Sequence, residues 1–246
     1  MIPVIRSILS LTKRFSLVVR FARIALPEYR FIEPLLTWQK DVDFNEYLRK
    51  FREPFDYNDY RRFALRELLK LTSHIPGDTA EVGCYTGATS YLILKHIQEV
   101  SRQRNGQSFP KKHFIFDSFL GLSTPGPLDG NHWSPQRFVI EESRLRENLS
   151  MFSDEFTCYA GWVPQRFGEV EDRRFSFVHI DVDLYDPTKQ SLSFFYSRMT
   201  KDGVIVIDDY GFDNNPGVNI ASEEFFSTKS ERLIAMPTGG AFVIKR

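Results

Sequence analysis

Two stretches near the C-terminus decide the fold: Phe177-Val-His-Ile-Asp-Val-Asp-Leu-Tyr185 and Gly203-Val-Ile-Val-Ile-Asp-Asp-Tyr210. Each is a run of β-branched and aromatic residues, typical of a strand buried on both faces, that ends abruptly in carboxylates. In open α/β sheets, ligands bind outside the carboxyl ends of the strands. We therefore expect a functional site with a divalent cation at the four acids of these strand ends: Asp181, Asp183, Asp208 and Asp209.

From residue 78 onward, strand patterns alternate with helix patterns, which implies right-handed crossovers. The predicted strands are 79–84, 113–117, 156–160, 175–181, 203–208, 233–236 and 241–245, and the predicted helices are 88–100, 141–152, 188–199 and 219–226. Apolar residues at helical spacing predict a further helix over 57–71, ahead of the first strand. The last two strands are joined by a short turn and are expected to be antiparallel. The expected fold class is α/β: a doubly wound, mostly parallel, seven-stranded Rossmann-like sheet with an N-terminal helical extension.

The N-terminal residues 1–27 contain five bases and no acid. No uncharged run in them is long enough to span a bilayer. At helical spacing, one face is apolar and the other basic. This pattern fits a peripheral membrane contact through residues 1–27, but a helix packed on the core or on another subunit of a homo-oligomer is the preferred interpretation.

Composition limits the class of protein. The 32 basic residues equal the 32 acidic ones, so no nucleic-acid partner is expected. The two cysteines, Cys84 and Cys158, both fall in predicted strands and form no zinc-binding pattern. A reduced, cytoplasmic setting is therefore expected.

The segment Glu81-Val-Gly-Cys-Tyr-Thr-Gly87 joins the first predicted strand to the next helix. Gly83 and Gly87 permit a tight turn and close approach of the backbone to a ligand. The G-x-G-x-x-G spacing of dinucleotide sites is missing, which disfavours a NAD oxidoreductase. Glu81 would repel a pyrophosphate but suits a cationic cofactor such as S-adenosylmethionine. A purely structural turn is the alternative.

Several further residues have two interpretations each. Asp117 ends the second predicted strand, where it suits ribose hydroxyls or caps the next turn. The loop 121–135 has the length and the Gly and Pro content of a lid. In it, His132 is either a general base or substrate contact, or a surface histidine, and Asp129 is undecided. Trp162 either stacks on an adenine or packs.

Asp181 and Asp208 lie 27 positions apart with one predicted helix between them. This is one βαβ unit, so their strands are expected to be neighbours, roughly 5 Å apart. Carboxylates that close repel each other unless a proton or a cation lies between them. Oxygen ligands indicate Mg²⁺, or else Ca²⁺ or Mn²⁺, and such an ion would acidify a hydroxyl of a bound diol. His179 is interpreted as a satisfied core histidine.

Four segments together resemble the metal-dependent macrocin-, mycinamicin- and novobiocin-type O-methyltransferases. They are Glu81-Val-Gly-Cys-Tyr-Thr-Gly87, Phe116-Asp-Ser-Phe-Leu-Gly-Leu122, Ile180-Asp-Val-Asp-Leu-Tyr-Asp-Pro-Thr188 and Val206-Ile-Asp-Asp-Tyr-Gly211. The resemblance runs from about Tyr57 to the C-terminus. It implies a methyltransferase domain over 57–246, preceded by an N-terminal helical segment over 1–56.

The resemblance implies methyl transfer from S-adenosylmethionine to a hydroxyl, often on a sugar, with Mg²⁺. Carried over residue by residue, the implied metal ligands are Asp181, Asp208 and Asp209, and the implied cofactor contacts are Glu81, Gly83, Tyr85, Asp117 and Ser118. The 27-residue gap to Asp208 selects Asp181 over Asp183 as the ligand, and helix or turn capping is the alternative role of Asp183 and Asp209. We add Gly87 and Trp162 to the cofactor set, and we name Asp181 and His132 as candidate general bases. Asp186-Pro-Thr188 replaces the family's Glu-Ser-Thr, and Asn219 stands where a basic residue is common, so the acceptor stays open.

The expected partner is a small glycosylated or diol-bearing substrate. One alternative is a methyltransferase of cell-surface polysaccharide or lipid-linked sugar, which the basic N-terminal segment would suit. Another is a non-catalytic cofactor-binding protein of the same fold. The clustered carboxylates argue against the latter, because a protein without a reaction has no use for them.

Overall fold

The computed structural model describes residues 20–21, 24–25, 36–52, 57–103 and 109–246. The chain divides into two units, Met1–Arg49 and Lys50–Arg246. Most of the basic helix expected over 1–27 and much of the helical segment expected over 1–56 lie outside the described residues. The domain boundary expected between residues 56 and 57 stays a prediction.

In the first unit, a 3₁₀ helix, Thr37–Lys40, precedes helix α1, Val42–Lys50, which runs one residue past this unit. Asp41 caps α1, since its Oδ1 accepts a hydrogen bond from the amide of Phe44 at 3.0 Å. The ring of Phe44 packs edge-on against Trp38, with 5.6 Å between ring centres. Capping and aromatic packing thus both stabilise the start of α1.

The second unit alternates strands and helices as expected. Its helices are α2 (Tyr57–Leu71), α3 (Ala88–Gln103), α4 (Glu142–Asn148), α5 (Tyr185–Tyr196) and α6 (Pro216–Phe226), with short 3₁₀ helices at Ser150–Phe152 and Phe167–Val170. Its strands are β1 (Asp78–Val82), β2 (His113–Asp117), β3 (Phe156–Ala160), β4 (Phe175–Ile180), β5 (Met199–Ile207), β6 (Ile234–Ala235) and β7 (Ala241–Ile244). The expected α/β class is confirmed.

The seven strands form one sheet in the order β3-β2-β1-β4-β5-β7-β6. Strands β1 to β5 are parallel, β7 is antiparallel to β5, and β6 is antiparallel to β7. The strand order reverses between β1 and β4. Strands β2 and β3 add successively on one side of β1, and the chain then crosses to the other side of β1 to form β4 and β5. Ligands of doubly wound sheets bind at this kind of switch point.

Apolar side chains cover both faces of the sheet. Every residue of β4 is buried, as is the C-terminal half of β5. On one face, Phe175 packs edge-on against Phe195 of α5, with 5.1 Å between ring centres. On the other face, Leu145 of α4 and Ile115 of β2 belong to a second buried cluster. Burial on both faces explains why these strands are nearly continuous apolar runs.

Two placements expected from sequence were wrong. Cys84 lies in a turn and not in a strand, because β1 ends at Val82 and Gly83 follows with φ at +80°. Met199 opens β5 and does not end a helix, because α5 stops at Tyr196 and Met199 pairs with Phe175 of β4. Within the described part of the chain, no helix combines the length and the apolar character needed to cross a lipid bilayer.

Candidate active site

A cavity of about 770 Å³ lies at the carboxyl edge of the sheet. Its volume falls within the range of roughly 300–1,000 Å³ common to small-molecule sites. The wall comes from α2 and from the segments that follow β1, β2, β3, β4 and β5. It includes all the site residues expected from sequence except Gly87: Glu81, Gly83, Tyr85, Asp117, Ser118, His132, Trp162, Asp181, Asp208 and Asp209.

The glycine loop between β1 and α3 depends on backbone conformations that favour glycine. Gly83 and Gly87 have φ values of +80° and +81°. A Cβ atom at Gly83 would overlap the backbone oxygen of Asp181, the residue that follows β4, so only glycine lets the loop approach this strand end. Tyr85, at φ +45°, is largely exposed at the cavity wall.

Asp117 braces this loop. Its Oδ2 accepts hydrogen bonds from the amides of Cys84 at 2.8 Å and Tyr85 at 3.0 Å, and its Oδ1 accepts one from Phe119 at 2.8 Å. The next residue, Ser118, donates its hydroxyl to the carbonyl of Gly121 at 2.7 Å. The carboxylate expected to contact a ribose thus also holds the backbone of the loop in place.

Glu81 lies within β1 at the cavity wall and is 1 % exposed. Its Oε2 accepts a short hydrogen bond from the hydroxyl of Ser90 on α3. Its Oε1 lies 3.0 Å from Nδ1 of His179, which is its register partner on β4. Both carboxylate oxygens are therefore engaged, and an effect of Glu81 on a cationic ligand would be mainly electrostatic.

The acids after β4 and β5 meet as expected from the βαβ spacing, because Ile180 pairs with Ile207 in adjacent parallel strands. Two overlapping groups of residues each bring three possible ligand atoms within 4.8 Å of one another. The first group is His179, Asp181 and Asp208, and the second is Asp181, Asp183 and Asp209. Asp183 thus lies as close to the cluster as its neighbours. The metal-ligand set of Asp181, Asp208 and Asp209 stays a prediction.

The cluster concentrates negative charge where solvent has limited access, because Asp209 is buried and Asp181, Asp183 and Asp208 are partly buried. Burial, followed by the charges of Asp209 and Asp183, raises the pKa of Asp181 well above its usual range. Burial and Asp209 also raise the pKa of Asp183, although a hydrogen bond from Asn215 opposes the shift. Bringing carboxylates together in low dielectric is costly unless positive charge compensates them. Hard oxygen donors in this number suit a divalent cation.

Arg61 of α2 supplies part of that positive charge. Its Nη2 contacts Oδ2 of Asp208 closely, lies 3.5 Å from Oδ1 of Asp209, and donates to the backbone oxygen of Asp208 at 3.0 Å. Sequence reasoning missed Arg61, which lies far from the acids along the chain. The only available signal was its place in an amphipathic helix that precedes the sheet.

The loop expected to be a lid borders the cavity. Phe138 packs near Tyr85 and Trp133, with ring centres 5.8 and 5.7 Å apart, and the Arg137 guanidinium lies over the rings of Trp133 and Phe138. The exposed ring of His132 packs edge-on against Trp133. This aromatic group forms the rim of the cavity on the side of the glycine loop.

Asp129 attaches the same loop to α5. It is buried, and its Oδ1 accepts a hydrogen bond from the amide of Tyr185 at 2.6 Å. Its Oδ2 accepts a second bond from Gly126 at 2.7 Å. Asp129 therefore caps the first turn of a helix that is distant in sequence. Trp162, which also lines the cavity, donates its Nε1 to the carbonyl of Gly121, the first residue of this loop, at 3.2 Å.

Known proteins are similar to this chain in sequence, and solved structures are similar to it in fold. An 8-demethyl-8-(2,3-dimethoxy-α-L-rhamnosyl)-tetracenomycin-C 4'-O-methyltransferase of Streptomyces olivaceus is 24 % identical over 153 residues, which are 58 % of this chain and 56 % of that protein. The demethyldecarbamoylnovobiocin O-methyltransferase of Streptomyces niveus is 22 % identical over 149 residues, 56 % of this chain and 54 % of that protein. The chain spans about half the length of these curated relatives.

Among solved structures, the calicheamicin methyltransferase CalS11 superposes with a TM-score of 0.67 at 18 % identity, covering 89 % of this chain and 96 % of that one. At this identity the likeness supports the fold alone. The macrocin-O-methyltransferase (TylF) family matches residues 62–237, which is well over half of the chain and contains the glycine loop and the acid cluster. The chain therefore belongs to the macrocin-O-methyltransferase (TylF) family.

Proposed function

We propose that this chain transfers the methyl group of S-adenosylmethionine to a hydroxyl of a sugar or another diol-bearing natural product, with the help of Mg²⁺ or a similar divalent cation. One observation carries the proposal: the glycine loop and the partly buried acid cluster share the wall of a single cavity. A methyl donor and a cation-bound acceptor need this proximity, because transfer requires the hydroxyl close to the methyl carbon and in line with it.

The glycine loop is the proposed cofactor site. Gly83 keeps its backbone close to the end of β4, Gly87 keeps it close to Leu145 of α4, and Asp117 fixes the amides of Cys84 and Tyr85. The exposed rings of Tyr85 and Trp162 supply apolar surface for the cofactor. The negative charge of the nearby acids favours a sulfonium over a phosphate.

The acid cluster is the proposed cation site, with Asp181, Asp208 and Asp209 as ligands. A bound divalent cation would supply Lewis acidity toward the acceptor hydroxyl. The protein's own contribution is to hold the carboxylates together, with Arg61 offsetting part of their repulsion. Asp181, inside the cavity, and His132, on the lid, are the candidates to accept the hydroxyl proton.

The aromatic rim is the proposed acceptor site. Trp133 and Phe138 offer ring faces that suit the apolar face of a sugar, and Arg137 lies over both rings. A small glycosylated or diol-bearing molecule fits an opening of this kind, with its hydroxyls directed to the acids and its ring against the rim.

The direct test is methyl transfer from labelled S-adenosylmethionine to a panel of sugar, macrolide and phenolic diols, with and without EDTA. We expect Asp208→Asn to abolish turnover while cofactor affinity, measured by calorimetry, stays within severalfold. Asp213→Asn, an exposed acid near Asp208, is the matched control and should retain turnover. Full activity in EDTA or in Asp208→Asn would refute the cation's role, and failure to bind S-adenosylmethionine would refute the enzyme class.

A second acceptor class is favoured by the five bases and no acid in residues 1–27. Such a segment suits an acceptor held at an anionic membrane, such as a lipid-linked sugar or a cell-surface polysaccharide. Co-sedimentation with anionic liposomes should then depend on residues 1–27. The expected homo-oligomer is tested on the same preparations by light scattering.

A further inference from the structure

A row of hydrogen-bonded polar side chains crosses the buried centre of the sheet and ends at the acid cluster. Thr79 Oγ1 lies 2.9 Å from Nδ1 of His113, whose Nε2 lies 3.0 Å from Oγ of Ser90. Ser90 donates to Glu81, and Glu81 in turn bonds His179. None of the five side chains is more than 2 % exposed, so bulk water cannot replace a hydrogen-bond partner in this row.

The positions of the protons follow from this row. The single hydroxyl proton of Ser90 goes to Glu81, so Ser90 accepts from Nε2 of His113. Burial and the proximity of His179 lower the pKa of His113 to about 3, which keeps its ring neutral. Glu81 acts as an acceptor on both oxygens, and the proton on its far side therefore belongs to Nδ1 of His179.

The other ring nitrogen of His179 faces the acid cluster. Its Nε2 is buried, and among the described residues it has no hydrogen-bond partner. It lies 3.3 Å from Oδ1 of Asp208, but the approach lacks hydrogen-bond geometry. A buried ring nitrogen without a hydrogen-bond partner therefore faces a carboxylate oxygen, and a cation placed between the two atoms would satisfy both.

The surroundings of His179 match those of a metal ligand. Histidines that bind metals usually donate their second ring N–H to a carboxylate, which fixes the ring and increases its basicity. Glu81 occupies that position. Arg61 contacts Oδ2 of Asp208 and leaves Oδ1 facing His179. The possible ligand atoms of His179, Asp181 and Asp208 all lie within 4.8 Å of one another.

We propose that Nε2 of His179 is a nitrogen ligand of the cation in this cluster, beside oxygens of Asp181 and Asp208, with Glu81 positioning the imidazole. The inference rests on the cation site of the proposed function and defines its chemistry. A mixed nitrogen and oxygen donor set suits Mn²⁺ and other transition ions better than Mg²⁺, which prefers oxygen. Mn²⁺ should therefore bind at least about tenfold more tightly than Mg²⁺.

The test uses the full chain loaded with Mn²⁺ and pulsed electron paramagnetic resonance, which detects nitrogen bonded to the ion. We expect a ¹⁴N coupling in the wild type that disappears in His179→Asn. The asparagine amide still reaches Glu81 from about the place of Nδ1 but offers nothing at Nε2. The Mn²⁺ affinity of this variant, measured by calorimetry, should fall about 10- to 100-fold.

His132→Ala is the matched control, because His132 is a histidine of the cavity wall that is not a proposed ligand, and this variant should retain the coupling. If His179→Asn fails to fold, wild-type and His132→Ala proteins labelled with ¹⁵N-histidine report the same bond without a substitution at the site. Mn²⁺ bound without nitrogen coupling, or a coupling that survives in His179→Asn, would overturn the proposal and leave cation-dependent methyl transfer standing. Methyl transfer that EDTA does not affect would instead overturn the proposed function.

Discussion

Replacing Asp117 with alanine should weaken the fold as well as cofactor binding. The carboxylate accepts three backbone N–H groups, of which those of Cys84 and Phe119 are partly buried and that of Tyr85 is exposed. Allowing about 1–1.5 kcal/mol for each partly buried bond and about 0.5 kcal/mol for the exposed one, the loss in free energy of unfolding is about 3 kcal/mol. Asp117→Asn keeps one acceptor oxygen and should lose about half as much.

Thermal unfolding followed by circular dichroism measures this loss. For a unit of about 200 residues, 3 kcal/mol corresponds to a decrease in Tm of roughly 6–12 °C. Asp154→Ala removes an exposed acid from a turn before β3 and should leave the Tm nearly unchanged. If Asp117→Ala kept the wild-type Tm and lost only S-adenosylmethionine affinity, Asp117 would be a cofactor contact alone, and the argument that it braces the loop would be refuted.

Two further substitutions test the loop and the pH response. Gly83→Ala should abolish detectable cofactor binding, because alanine at φ +80° costs about 1–2 kcal/mol and its Cβ displaces the loop from the backbone of Asp181. Gly168→Ala is the control and should leave cofactor binding unchanged, because a Cβ there meets nothing within 4 Å. Burial, together with the charges of neighbouring lysines, lowers the pKa of His96 from 6.5 to about 4. The unfolded chain therefore binds this proton first as pH falls below 6.5, and the His96 contribution alone should lower stability by about 2 kcal/mol between pH 7 and pH 5. Urea midpoints that fall as far in His96→Gln as in the wild type would contradict this assignment.

The local sequence pattern was sufficient to predict the type and position of most helices and strands of the second unit. The apolar periodicity predicted a helix over 57–71, and α2 has those bounds. The errors lie at ends where a tertiary contact decides. The periodicity, for example, places Met199 in the last turn of a helix, but its backbone pairs with that of Phe175 in the sheet. Pairing between strands is a long-range contact that periodicity within one segment does not contain.

The acid cluster shows the same limit at the level of side chains. The βαβ spacing predicted that Asp181 and Asp208 are neighbours, since the connection leaves little choice of partner strand. It did not predict that Asp183 joins Asp181 and Asp209, because this depends on a left-handed backbone at Asp183, with φ at +59°. That conformation is uncommon outside glycine and has no local signal in the sequence.

The sequence by itself determined the parallel sheet, the glycine loop and the strand ends that carry the acids, because alternating patterns and short connections leave few topologies open. Only the tertiary structure decided which side chains pair with these acids and offset their negative charge. Arg61 meets Asp208 across 147 positions of chain, and Glu81 meets His179 across 98. The second pair exists because β1 and β4 align in one register, and a shift of one residue would turn these two side chains to opposite faces of the sheet.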